Sequence, residues 1–212
     1  MKLKFKKQQY QEDASSSVVK CFEGQPKGIR QDLIGRRERK IDLTNWKENS
    51  VEDIISFGNN KILLTSEDLR KNIRAVQKQN NLDYTDKEGF QNYSIEMETG
   101  TGKTYTYIKT MYELNKAYGW SKFIVIVPSI AIREGVLKSF QITEEHFQEL
   151  YKKKIRYFVY NSNSSSNIAN INNFAEDNSI QVMIMNYQAF NTKSKANRRI
   201  YEELDELQSR KP

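Results

Sequence analysis

The sequence of 212 residues contains one cysteine, one histidine and three prolines. A single thiol, Cys21, excludes a disulfide framework and a cysteine-based metal site, and its place beside Phe22 in a helical pattern marks it as a small core residue. The sole histidine, His146, lies in a charged helical stretch and reads as a surface residue. No apolar run approaches the roughly eighteen residues that a membrane span needs. The N-terminus, MKLKFKKQQYQ, has charge but no apolar segment behind it, so it lacks the form of a secretory signal. These absences imply a soluble chain in a reducing, cytoplasmic setting with no membrane partner. Apolar residues are also few, at 37%, against roughly 45–50% in ordinary globular domains when Gly is counted. A polar insertion and a solvated tail account for the deficit, because the segments around the Gly-rich loop are as apolar as buried strands. There are no internal repeats.

Charge is present in excess of one sign. Lys and Arg number 34 against 27 Asp and Glu, a net charge of +7, which fits a polyanionic partner such as nucleic acid. The cluster Arg36–Arg37–Arg39–Lys40 suits a DNA contact or an exposed loop equally well, and Lys152–Lys154 reads as a solvated turn.

Periodicity divides the chain into four parts. Residues 1–24 hold a helix from Gln8 to Phe22, with Tyr10, Ala14, Val18 and Phe22 on one face and Gly24 ending it. Residues 25–92 form a polar insertion, irregular to about Lys61, with the pair Asn59–Asn60 near its end. Within it, Ser66 is placed to cap a helix through Leu69, Ile73 and Val76 to about Asn80. Residues 93–197 alternate strand and helix. The strands are Tyr93–Met97, Phe123–Val127, Ile155–Tyr160 and Gln181–Asn186. The helices are Lys103–Tyr118, Ala131–Phe140, Thr143–Lys152 and one near Ile168–Glu176, with a flexible loop at Asn161–Ser166. The run FIVIV, closed by Pro128, has the continuous β-branched character of a strand buried on both faces. This alternation predicts an α/β fold, a parallel sheet flanked by helices. Residues 198–212 form a charged tail of helical period.

Between the first strand and its helix stands Met97-Glu98-Thr99-Gly100-Thr101-Gly102-Lys103-Thr104. It matches the phosphate-binding consensus G-x-x-x-x-G-K-[ST] at Gly102, Lys103 and Thr104, with Met97 where the first Gly is expected. Each residue type suits the chemistry. Gly100 and Gly102 let the backbone turn its N–H groups inward around a phosphate, and the following helix adds its N-terminal dipole. Lys103 would neutralise β- and γ-phosphates, and the Thr104 hydroxyl would ligate Mg²⁺. The plainer alternative is a Gly-rich turn joining strand to helix.

The string METGTGKT, with Tyr10-Gln11-x-x-Ala14 upstream and VPSIAIREGV from Val127 to Val136 downstream, resembles the Res subunit of Type III restriction endonucleases, in helicase superfamily 2. The likeness runs from about Phe5 to Phe190. It implies a RecA-like P-loop domain that uses ATP and Mg²⁺ as part of a motor on double-stranded DNA. It also implies a nuclease region and a methyltransferase partner, Mod, that supplies site recognition. Carried onto this chain, Gln11 reads the adenine edge, with Tyr10 or Phe5 placed to pack on the base. A Gln amide can meet both the N6 donor and the N7 acceptor of adenine. Thr99, Gly100, Thr101, Gly102, Lys103 and Thr104 hold the phosphates and metal, with Lys103 and Thr104 in catalytic roles. Ser129 and Arg133, and Tyr187 and Gln188 after the last strand, contact the DNA backbone. The alternatives are a polar residue on a surface helix for Gln11, and a helix cap with a solvated Arg for Ser129 and Arg133.

A motor ATPase also needs an apolar strand ending in Asp-Glu to hold Mg²⁺ and position water. Asp205-Glu206 lies in the polar run YEELDELQSRKP and does not fit. A second motor domain and a nuclease motif are likewise missing, so the sequence has the look of the N-terminal fragment of a longer protein, with its sheet incomplete at the C-terminus. Two functional readings follow: the ATP-binding portion of a restriction motor subunit, or a nucleotide-gated module that grips DNA or a partner without chemistry. A small-molecule kinase ranks behind both, for want of the first Gly and a lid-like Arg motif.

Overall fold

The computed structural model describes residues 5–27, 59–60, 62–83, 92–160, 174 and 179–187. They fall into two compact units, one within residues 1–28 and 61–120, the other within 29–60 and 121–212. Most of the expected irregular insertion, the loop Asn161–Ser166, the helix near Ile168–Glu176 apart from Phe174, the cluster Arg36–Lys40 and the charged tail lie outside the described residues.

The first unit is helical among its described residues: α1 (Gln9–Lys20), α2 (Ser66–Gln79) and α3 (Lys103–Tyr118). Helix α1 turns a different face inward from the one its apolar period suggests. Tyr10 is exposed, while Gln11 and Ser15, one turn apart, are buried. The reason is hydrogen bonding: these two side chains satisfy backbone carbonyls of the segment leading into and opening α3, which an apolar face could not do. Helix α2 is capped by Thr65 rather than Ser66. The Thr65 Oγ1 accepts from Asp68 N at 3.2 Å and Asp68 Oδ2 accepts from Thr65 N at 3.0 Å, a reciprocal pair that satisfies two orphan amides. Helix α3 ends at Gly119, whose φ of +79° suits the left-handed cap. The apolar centre of this unit is aromatic. Phe22 meets Trp120 edge-on at 4.9 Å between centroids and lies beside Tyr93 and Tyr118, and Tyr118 donates to the Val19 carbonyl at 2.7 Å. Cys21 is buried, as expected of a small core residue, and burial pushes its thiol pKa up.

The second unit holds β1 (Lys122–Val127), α4 (Ile130–Tyr151), β2 (Ile155–Val159) and β3 (Ile180–Asn186). The sheet is parallel in the order β1-β3-β2, with Lys122 to Val127 in register with Gln181 to Asn186, and Ile155 to Val159 with Ile180 to Ile184. The α/β class and the parallel sheet expected from the sequence are therefore present, and three of the four expected strands form. The fourth, Tyr93–Met97, carries no strand pairing. The Met97 and Glu98 carbonyls are taken instead by Lys103, and Glu98 also accepts from Thr101. The fully buried strand is β3, with Val182 and Ile184 closed to solvent, whereas the FIVIV run of β1 leaves Ile124 and Ile126 exposed.

The two helices expected between Ala131 and Lys152 are one helix of 22 residues, because nothing near Gln141 and Ile142 breaks it. Its buried stripe, Val136, Phe140, Thr143 and Phe147, follows the helical repeat across the expected break. Phe140 stacks on Tyr157 of β2 at 5.1 Å. His146 is half-buried with its ring against Phe147, not a free surface residue. Asn59 ties the end of the insertion to the first strand. Its Oδ1 accepts from Ser121 N and Lys122 N, at 2.7 and 2.8 Å, while its Nδ2 donates to Lys122 O at 2.7 Å. An amide thus stands in for a neighbouring strand on the edge of β1.

Candidate nucleotide site

The Gly-rich loop closes on itself through short local bonds. Thr101 Oγ1 donates to the Glu98 carbonyl at 2.6 Å, and Lys103 Nζ donates to the Met97 and Glu98 carbonyls at 2.7 and 2.8 Å. Gly100 and Gly102 have φ of +84° and +86°, a conformation that a side chain would strain. They differ in surroundings. A Cβ on Gly100 would meet nothing within 4 Å, while one on Gly102 would come 2.6 Å from Gln11 Nε2. Gly100 therefore borders open space of the kind a phosphate needs, and Gly102 makes room for Gln11.

Gln11 is 8% exposed, and its Nε2 donates to the Thr101 carbonyl at 2.8 Å. The Tyr10 hydroxyl donates to the same oxygen at 3.1 Å. The element expected to read a base and the loop expected to hold phosphates are thus joined at one carbonyl. Phe5, the other aromatic considered for packing on a base, stacks on Tyr105 with centroids 5.7 Å apart. Thr99 is exposed in the turn and Thr104 half-buried in the first turn of α3. One turn beyond Thr104, the Tyr107 phenol is pushed up to about 12 by burial, with the Thr104 hydroxyl pulling the other way. The donor set suits a magnesium–triphosphate: glycine-framed backbone amides, an ammonium, and a hydroxyl at a helix start. The Lys103 ammonium rests on two neutral carbonyls, partners that a phosphate's full negative charge would outcompete.

Sequence reasoning missed four neighbours. Glu12 forms an ion pair with Lys109 of α3, whose side chain is only 4% exposed, and Tyr105 and Tyr107 flank the start of the same helix. A lysine amid Ile108, Met111 and Tyr112 was the available signal, since a charge on a helix that buries most of its circumference needs a partner.

In the second unit, Ser129 caps α4, accepting from Ile132 N at 3.3 Å, and Arg133 follows one turn later. The Arg133 guanidinium contacts Glu134 Oε1 through Nε and Nη2, at 3.2 and 3.0 Å. Tyr187 is exposed just past Asn186, which pairs in register with Val127, so Tyr187 and Ser129 lie at the same C-terminal edge of the sheet. Gln188 lies outside the described residues.

Comparison with known proteins completes the description. The family model described as "Type III restriction enzyme, res subunit" matches residues 4–210. The chain is 38% identical over 133 residues to the Type III restriction-modification enzyme EcoPI Res subunit of Escherichia phage P1, covering 59% of this chain and 13% of that protein. It is 37% identical over 156 residues to the EcoP15I Res subunit of Escherichia coli, covering 65% and 16%. It is 32% identical over 126 residues to the StyLTI Res subunit of Salmonella typhimurium, covering 52% and 12%. The matched region is thus a small part of each relative's length. With the Gly-rich loop and its buried glutamine inside a match that runs nearly end to end, the chain belongs to the family of Type III restriction enzyme Res subunits.

Proposed function

We propose that this chain is the N-terminal ATP-binding portion of a Res subunit, the DNA-dependent motor of a Type III restriction-modification system that cleaves foreign DNA. In this reading Tyr10 and Gln11 hold the adenine. The backbone of Thr99, Gly100, Thr101 and Gly102 wraps the phosphates, Lys103 leaves its loop carbonyls for the β- and γ-phosphates, and Thr104 ligates Mg²⁺. ATP bound with Mg²⁺ would supply the free energy for movement on DNA. Ser129, Arg133, Tyr187 and Gln188 grip the double-stranded DNA backbone, and a Mod methyltransferase subunit supplies site recognition. The reading sets the protein in the cytoplasm, with its DNA. No helix among the described residues is long and apolar enough to cross a membrane.

One observation carries the proposal: Gln11, buried on a different helix, is fastened to the Thr101 carbonyl inside the Gly-rich loop. That bond sets the residue that would read the base against the loop that would hold the phosphates, which is what supports the reading. A second reading is a nucleotide-gated module that binds DNA or a partner without turnover. It is favoured by the lack, in these 212 residues, of an apolar strand ending in Asp-Glu.

Titration of a fluorescent adenine nucleotide with Mg²⁺ tests the proposal. Saturable binding is expected, weakened about a hundredfold by Lys103→Ala and about tenfold by Gln11→Ala, the scale of a charged and a neutral hydrogen bond. A folded wild-type chain that binds no nucleotide sinks the proposal. Hydrolysis of bound ATP by this chain alone would count against the module reading.

A further inference from the structure

Adenine reading, in the proposal above, depends on where α1 stands along α3. Gln11 contributes only if its amide stays at the Thr101 carbonyl, and Thr101 is held by chain continuity to the start of α3. What holds α1 at that level is not its own N-terminus, since Gln8 provides no side-chain cap. The Ser15–Thr106 bond is long, at 3.4 Å, and the Tyr118–Val19 bond, at 2.7 Å, ties the far ends of the two helices, about two turns of α1 beyond Gln11. Among the described residues one ion pair joins the two helices, Glu12 to Lys109.

Glu12 is the residue next to Gln11, and Lys109 lies six positions after Lys103 on the helix that the loop opens. The Lys109 side chain is nearly sealed from water, so its ammonium must keep a carboxylate opposite it. Apolar contacts tolerate sliding because burial is non-directional, whereas a charge-assisted hydrogen bond fixes a position. A slip of one residue, about 1.5 Å along a helix axis, would break the ion pair and the Gln11–Thr101 bond together.

From this arrangement we infer that the Glu12–Lys109 pair is a strut that sets base selectivity by holding Gln11 over the Gly-rich loop; the inference rests on the adenine-nucleotide reading. With one amide hydrogen committed to Thr101, the second N–H and the Oε1 remain for the base. Adenine offers an acceptor at N7 and a donor at N6, while guanine places an acceptor at O6 against the Oε1. Glu12 and Lys109 touch no nucleotide in this scheme and are positioning residues.

The test is competition against a bound fluorescent ATP analogue on the full 212-residue chain, using unlabelled ATP, GTP and inorganic tripolyphosphate. Wild type is compared with Glu12→Gln and with the double variant Glu12→Met/Lys109→Met, which removes both charges and leaves neither unpaired. The expected result in both variants is a fall of about tenfold in the preference for ATP over GTP, with tripolyphosphate affinity kept within about twofold. Unchanged preference, or an equal loss for all three competitors, overturns the strut. If Glu12→Gln does not fold by circular dichroism, the double variant decides; failure of both to fold assigns the pair to stability alone and overturns the inference. A wild type that binds no nucleotide, or binds both bases alike, defeats the adenine reading itself. A wild type that discriminates, beside variants that discriminate equally, defeats only the strut.

Discussion

In the sheet unit, β3 places Val182 and Ile184 between two neighbours and closes them completely to solvent. In the helical unit, buried polar residues stand where α1 meets the loop and α3: Gln11, Ser15, Thr106 and Lys109. Both parts are ordered, but by different physics. Apolar burial is strong and indifferent to small shifts, and it makes a platform. Polar burial is costly when a partner is missed, and it therefore fixes positions at the level of single atoms. The Gly-rich loop lies in the unit that uses the second device.

The largest effect expected from this contrast is on stability, in the sheet. Ile184→Ala should cost about 2–5 kcal/mol, because the cavity it leaves is sealed on both faces. Ile124→Ala, on a strand position that is 51% exposed, should cost about 1 kcal/mol or less. Chemical denaturation of both variants measures the gap. Equal costs would mean that β1 is buried as deeply as β3, and the distinction drawn between centre and edge would fail.

That distinction also marks what could be seen in the sequence. Apolar runs such as FIVIV and QVMIM announce strands because the strands of a parallel sheet are covered by helices, so three strands were legible. The same rule misassigned α1, where Tyr10, Ala14 and Val18 looked like the buried face. Burial of Gln11 and Ser15 is decided by carbonyls some ninety positions away in the chain, and no local period carries that information. The segment Tyr93–Met97, read as a strand from its apolar residues, carries no strand pairing. The long α4 was misjudged for want of any breaker, and Thr65 was passed over for Ser66 although the Asp three residues later fits only Thr65 as a reciprocal cap. The Gly-rich turn that opens α3 was legible, but neither the Gln11–Thr101 bond nor the Glu12–Lys109 pair behind it was.

An intermediate effect separates the two glycines of the loop. Both Gly100→Ala and Gly102→Ala force a side chain into left-handed backbone, at about 1–2 kcal/mol. Beyond that shared strain they should diverge. A methyl group on Gly100 enters open space and should weaken ATP, GTP and tripolyphosphate alike by occupying the phosphate cradle. One on Gly102 meets Gln11 Nε2 at 2.6 Å and should also erode the preference for adenine. Competition binding distinguishes them, and identical profiles for the two variants would break the assignment of Gly102 as the seat of Gln11.

The smallest effect lies at the start of α2, where order depends on a cap and little is buried. Thr65→Ala should cost about 1 kcal/mol at neutral pH. The pH dependence follows from Asp68, whose carboxyl is held below the usual aspartate range by hydrogen bonds from the Thr65 side chain and backbone. A carboxylate with a depressed folded pKa contributes stability that is fully present above its unfolded pKa and is lost as pH falls through the folded one. The difference between wild type and Thr65→Ala should therefore be constant around neutrality and shrink in acid, once Asp68 is protonated in both. Denaturation midpoints across that range measure it. A difference that stays constant into acid would mean that the Thr65 hydroxyl caps the helix without help from the Asp68 charge, and that this end of the helical unit, unlike the loop, does not rely on a paired polar group.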